Sequence, residues 1–154
     1  MILETRRLAW ADEADCAAWA QALARQPGTL QAFIELHGPL GAGKTTLVRH
    51  LLRALGVAGR IKSPTYTVLE PYTLAAGSAA AHFDFYRFND PREWLDAGFR
   101  DVFAGPGLKL AEWPDKAAGL LPLPDLRVYL QPLDGDQRQV RVEALTALGL
   151  ALLA

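Results

Sequence analysis

Eight consecutive residues carry the most explicit chemistry in this chain: Gly38-Pro39-Leu40-Gly41-Ala42-Gly43-Lys44-Thr45. They fit the pattern G-x-x-x-x-G-K-[ST] throughout. Glycines at these places let the backbone curl until its N–H groups converge on phosphate oxygens. Lys44 can then reach the β- and γ-phosphates, and the Thr45 hydroxyl can ligate Mg²⁺. The candidate nucleotide-binding residues are therefore Gly41, Ala42, Gly43, Lys44, Thr45 and the adjoining Thr46.

Phosphate binding alone does not give turnover, which also needs an acid near the metal and a group that positions the attacking oxygen. Asp84 ends the apolar run Ala80-Ala81-His82-Phe83. An acid at the carboxyl end of such a strand can hold Mg²⁺ or its waters; a solvated strand-end acid is the alternative. Glu112 ends Leu108-Lys109-Leu110-Ala111 in the same way, and a surface glutamate accounts for it equally. Ser63, Pro64 and Thr65 sit on a loop beyond the lysine-bearing helix. A loop there can respond to a γ-phosphate, and a capped turn is the plainer reading. His37, His50 and His82 have no metal-ligand spacing, and His37 and His82 read as structural. Trp113, Tyr66, Tyr86 and Trp94 read as core or interface.

These residues need elements to hold them. Ala32–Leu36 is an apolar run of strand length, and Thr45–Leu55 carries Leu47, Val48, Leu51, Leu52 and Leu55 at helical spacing, with Gly56 placed to end it. The positive end of that helix faces the phosphate loop. An earlier helix is expected from the N-cap Asp12 to about Gln26, where Pro27-Gly28 stops it. The second half of 62–72 and Ala80–Phe85 read as strands joined by a turn at Ala75–Ser78. A short helix is expected over Pro91–Gly98 and a strand over Leu108–Glu112. Arg127–Leu130 and Val140–Glu143 alternate around Asp134-Gly135, which predicts a hairpin. The expected fold class is α/β: a single nucleotide-binding domain over 1–154, with a mixed central sheet, flanking helices and a C-terminal β-hairpin.

Bulk properties narrow the class. Half of the chain is apolar (51%), enough for a sizeable core. With 16 basic and 17 acidic residues the net charge is −1, which argues against strong autonomous nucleic-acid binding. The single cysteine, Cys16, cannot form an internal disulfide, fits a reducing compartment and reads as a small buried apolar residue. The first seven residues include Glu4, Arg6 and Arg7 and do not read as a signal peptide. The apolar stretch Ala144–Ala154 is too short to span a bilayer and reads as a packed terminal segment.

Four blocks together resemble the TsaE (YjeE) family of small bacterial ATPases, which serve threonylcarbamoyladenosine synthesis in tRNA. They are Gly41-Ala42-Gly43-Lys44-Thr45-Thr46, Lys62-Ser63-Pro64-Thr65-Tyr66-Thr67, His82-Phe83-Asp84-Phe85-Tyr86-Arg87 and Glu112-Trp113-Pro114. The resemblance runs from about Leu8 to about Glu143. It implies a compact P-loop NTPase fold, ATP and Mg²⁺ as ligands, weak intrinsic ATPase activity and a cytoplasmic location. Action with TsaB and TsaD is also implied, with tRNA met only through that complex and no membrane involved. Residue by residue, it puts Mg²⁺ on Thr45 and Glu112 and makes Lys44, Asp84 and Glu112 the catalytic set. It gives 63–65 a switch-like role and sets Arg138 near the nucleotide. Pro39 departs from the family's frequent Asp, and Arg92-Glu93-Trp94-Leu95-Asp96 departs from its Glu-Glu-Leu-type pattern. The alternatives are a small-molecule kinase, disfavoured because no helical lid insertion is visible, and a nucleotide-binding interaction module without useful turnover. Aromatics between Tyr86 and Phe99 are expected to be exposed and to supply part of a docking face.

Overall fold

The computed structural model describes the whole chain except Ser63 and 65–67, and the side chains of all described residues except Pro91, Leu95 and Asp96. Its strands are β1 (Glu4–Trp10), β2 (Phe33–His37), β3 (Leu69–Thr73), β4 (Ala79–Asp84), β5 (Leu108–Glu112), β6 (Leu126–Pro132) and β7 (Arg138–Ala144). The helices are α1 (Glu13–Ala24), α2 (Lys44–Ala54), α3 (Pro91–Asp96), α4 (Phe99–Ala104) and α5 (Ala147–Leu152). The strands form one seven-stranded sheet in the order β1-β7-β6-β2-β5-β4-β3. β2 lies at its centre, parallel to β5 and β6, and β4 is parallel to β5. The β1–β7, β6–β7 and β3–β4 pairs are antiparallel, so the sheet is mixed, as the hairpin pattern predicts.

Strand alternation splits the core into two. Ile34 and Leu36 of β2, Leu108 and Leu110 of β5 and Val128 of β6 point to the face covered by α2. That helix inserts Leu47, Val48, Leu51 and Leu52, all buried, each stabilising the packing by about 1.5–3 kcal/mol. It ends where Gly56 takes φ +90°, a conformation that costs other residues more. On α1, Asp12 caps the first turn by accepting from the Asp15 backbone N–H at 3.2 Å. Cys16 is buried on the same side, and burial pushes its thiol up to about 11, as suits a packed apolar residue.

The opposite face holds an aromatic core, and here the expectation of an exposed docking face is corrected. Phe88, Trp94 and Phe99 are all buried, together with Phe83 and Phe85. Phe85 stands edge-on to Phe88 at 5.5 Å, and Trp94 edge-on to Phe99 at 5.8 Å. The rings between β4 and α4 spend their surface on one another; only Tyr86, 43% exposed, faces solvent.

Two helices differ from the sequence expectation, and one strand has no counterpart in it. The charged N-terminal stretch is a strand, β1, paired with β7 from Glu4↔Ala144 to Trp10↔Arg138. The first helix ends at Ala24, and Pro27–Gln31 forms a separate 3-10 turn. The expected helix over 91–98 stops at Asp96, and Gly98, at φ +71°, starts α4. β3 includes Pro71, tolerated because β3 is an edge of the sheet.

Candidate functional site

The loop between β2 and α2 leaves the middle of the sheet, beside the carboxyl ends of β4 and β5. Gly38 has φ +149°, and a Cβ there would lie 2.5 Å from the Leu130 carbonyl oxygen, so a side chain cannot be accommodated without moving β6. Gly43 takes φ +102° immediately before α2, turning the backbone N–H groups of the first helical turn towards the loop's concave side. Lys44 opens the helix. Its Nζ donates to the Gly38 carbonyl oxygen at 2.5 Å and lies 3.5 Å from the centroid of the Trp113 ring.

Parallel pairing of β4 with β5 sets Asp84 opposite Glu112. The Glu112 carboxylate, 2% exposed, accepts from the Thr45 hydroxyl at 2.9 Å on Oε1 and 3.0 Å on Oε2. It also takes a 2.7 Å hydrogen bond from His82 Nε2 on Oε2. The surface-glutamate alternative for Glu112 is thereby removed by its burial. Asp84 Oδ1 accepts from the Tyr86 backbone N–H at 3.0 Å. From the hairpin, Arg138 Nε donates to the Ala42 carbonyl oxygen at 2.8 Å, and Nη2 reaches the Gly41 carbonyl oxygen at 3.4 Å. Arg141, the other arginine of β7, instead lies over the Tyr129 ring at 4.1 Å.

Burial drives the electrostatics. It pushes the Lys44 ammonium below its ordinary value, against the pull of Glu112, Asp84 and Asp115. It pushes the Asp84 carboxyl above its ordinary value, opposed by the Tyr86 N–H and assisted by the Glu112 charge. A carboxylate so raised is a better proton acceptor than one in water.

Gly41, Ala42, Gly43, Lys44, Thr45, Thr46, Asp84, Glu112 and Arg138 line one cavity of about 460 Å³, within the range of small-ligand sites. Pro64 is buried and lies outside that lining. Ser63 and Thr65, its expected companions in a switch-like loop, lie outside the described residues. Tyr86, Arg87 and Trp113 also line the cavity, although sequence alone gives Arg87 no role there and suggests core or interface for Tyr86 and Trp113. Their sequence signals are membership of the blocks His82–Arg87 and Glu112–Pro114 and adjacency, since each follows an acid of the site within three positions. His82, read as structural, instead touches Glu112.

Among the described residues, no group of three or more His, Cys, Asp or Glu is placed to hold a metal ion. The Thr45 hydroxyl and Glu112 carboxylate are hard oxygen donors held within hydrogen-bond distance of each other. Mg²⁺ characteristically takes one or two such protein oxygens and fills its shell with phosphate oxygens and water, so this donor set fits it. Among the described residues no helix is long and apolar enough to cross a membrane.

Comparison with known proteins adds an independent finding. A family model described as "Threonylcarbamoyl adenosine biosynthesis protein TsaE" matches residues 10–140. The chain is 44% identical over 117 residues to the tRNA threonylcarbamoyladenosine biosynthesis protein TsaE of Haemophilus influenzae, covering 76% of this chain and 73% of that protein. It is 31% identical over 130 residues to the protein of the same name from Treponema pallidum, covering 83% of this chain and 93% of the relative. The crystal structure of Bacillus subtilis YdiB shares the fold, with a TM-score of 0.78 over 99% of this chain and 93% of that one, at 24% identity.

Proposed function

The chain belongs to the TsaE family, and from that premise we propose that it is a Mg²⁺-dependent ATPase of weak intrinsic activity in the assembly that makes threonylcarbamoyladenosine in tRNA. In this reading it works in the cytoplasm with TsaB- and TsaD-type partners and meets tRNA only through them. The observation that carries the ATPase reading is the pairing of Thr45 with the buried Glu112 beside Lys44, in the lining of one cavity.

The roles divide by chemistry. The loop amides from Leu40 onward and Lys44 bind the phosphates, Lys44 as a point charge of lowered desolvation cost because it is already out of water. Thr45 and Glu112 would hold Mg²⁺, which when bound supplies charge neutralisation across the phosphate oxygens. Asp84 orients the attacking water and takes up its proton, a task suited to a carboxyl raised by burial. Arg138 fixes the loop by its carbonyls, so that the opposite N–H groups stay turned to the ligand. Adenine in preference to guanine follows the family, and the chain has no N-K-x-D guanine-reading motif.

Phosphate release from ATP, measured with and without TsaB- and TsaD-type proteins, tests the proposal. The expected result is slow turnover alone and faster turnover in the mixture. A rate indifferent to the partners, or tight salt-sensitive tRNA binding by the isolated chain, overturns it. Transfer of the phosphoryl group to a small acceptor would replace it with a kinase.

A further inference from the structure

Glu112 is buried at the end of β5, and a carboxylate there needs donors to hold its charge and fix its direction. The Thr45 hydroxyl has one proton to give, and it stands nearly equidistant from both oxygens, at 2.9 and 3.0 Å. One bifurcated donor leaves the carboxylate free to tilt. The second donor is His82, on β4. Its side chain is 1% exposed and its Nε2 lies 2.7 Å from Oε2. An ionised carboxylate only accepts, so Nε2 carries the proton. The other ring nitrogen, Nδ1, is buried without a hydrogen-bond partner among the described residues.

That half-satisfied imidazole is a poor core filler. A leucine or phenylalanine at the same place would bury no orphan nitrogen. The strand register explains what the ring gains. His82 pairs with Leu110 and Asp84 with Glu112, so His82 and Asp84 share the face bearing α2, and the imidazole reaches along the sheet to the neighbouring strand's acid. Of the two groups that anchor Glu112, Thr45 is itself assigned to the metal. His82 is not, and so its bond stays available whatever the Thr45 oxygen does.

We propose that His82 is a positioning residue: its Nε2–H fixes the Glu112 carboxylate in the orientation that, with Thr45, receives Mg²⁺. This rests on the reading of Glu112 as a metal-holding group. Partners of this kind behind a metal ligand commonly change metal affinity by about 10–100-fold when removed.

The test uses the full chain and two measurements: calorimetric ADP affinity with and without Mg²⁺, and imidazole ¹⁵N resonances. His82→Leu removes the donor at similar volume. His82→Gln retains an N–H near the Nε2 position. The Leu variant is expected to lose about 10-fold or more of the affinity that Mg²⁺ adds, while keeping its metal-free ADP affinity, and the Gln variant is expected to regain most of it. An unchanged Mg²⁺ effect in the Leu variant, or equal losses in both variants, overturns the proposal. Glu112→Gln serves as the separate control. If it leaves the Mg²⁺ effect intact, the metal-holding reading of Glu112 fails, whereas a loss there with no change in His82→Leu refutes only the role of His82. Imidazole ¹⁵N resonances of the wild-type protein provide a measurement that does not depend on any variant folding. They are expected to show His82 protonated at Nε2, and protonation at Nδ1 alone overturns the proposal.

Discussion

Replacing Lys44 separates two jobs that its ammonium performs. In the structure Nζ donates to the Gly38 carbonyl oxygen and rests against the Trp113 ring. The cation–π contact is worth about 0.5–2 kcal/mol and the charge-assisted hydrogen bond about 1.5–3 kcal/mol before desolvation is counted. Desolvation opposes both, which is why the ammonium sits below its ordinary value. Lys44→Met keeps the aliphatic stem and removes the charge together with its desolvation cost. The melting temperature of the free protein should therefore move little, by roughly 4 °C or less for about 1 kcal/mol in a chain of this size. Nucleotide affinity should behave differently, because the lost phosphate contact has no offsetting gain. At about 1.5–3 kcal/mol it corresponds to a roughly 10- to 150-fold weaker Kd for Mg-ADP or Mg-ATP. If the lysine addresses the β- and γ-phosphates as proposed, AMP should bind both proteins alike, and the gap between AMP and ADP should shrink. Titration calorimetry of AMP, ADP and a non-hydrolysable ATP analogue, at fixed salt, measures all three. An ADP affinity unchanged in the variant, with the fold intact, refutes the assignment of 38–45 as a phosphate loop.

Other perturbations probe the rest of the site. Asp84→Asn should bind ATP as the parent does and turn it over at least about 100-fold more slowly, as expected for general-base loss; equal losses in kcat and Kd would argue for a structural role. Because burial raises the Asp84 carboxyl above its unfolded value, the acid contributes stability at low pH that is lost as pH rises through its folded pKa. The melting temperature of the Asn variant, relative to the parent, should accordingly rise across that acidic window and then level off, and the opposite slope would refute the burial argument. Arg138→Ala should loosen the loop by removing the donors to Ala42 and Gly41, giving faster amide exchange at 41–43 and weaker ADP binding; unaltered exchange would mean the guanidinium braces nothing. Gly38→Ala should cost about 2–4 kcal/mol, lowering the melting temperature by several degrees, because its Cβ would meet the Leu130 carbonyl oxygen. A stable Ala variant would show that β6 yields more easily than its pairing suggests.

What the sequence reveals depends on how local the cause is. The phosphate loop and its helix are legible because one short motif and one 3.6-residue pattern specify them. The hairpin is legible from alternation around Asp134-Gly135. β1 is harder, because its stretch Glu-Thr-Arg-Arg-Leu-Ala-Trp buries only Trp10 fully, and its charges look like a tail until β7 is found beside it. The aromatic residues after β4 mislead for a related reason. Composition marks them as large and apolar, but whether they face a partner or one another depends on α3 and α4 folding back onto the sheet. The contact of His82 with Glu112 spans 30 positions and exists only because β4 and β5 run parallel in one register. Period-2 alternation does put His82 and Asp84 on one face, and that much the sequence carries by itself.

The Arg138 brace has a consequence for the order of assembly. It closes contacts 96 and 97 positions away in sequence, onto a loop whose own strand and helix are local. On a growing chain the loop is made first and waits through β3, β4, β5 and β6 before the strand that steadies it is synthesised. β1 waits longer still for the neighbour it pairs with. Contacts of such separation make folding slow, since chain closure is spent before any pairing repays it. A nascent chain arrested before residue 138 therefore carries the loop with its local strand, helix and Lys44–Gly38 bond but without the brace from β7, and in the proposed reading the loop's full rigidity for nucleotide capture arrives only late in synthesis.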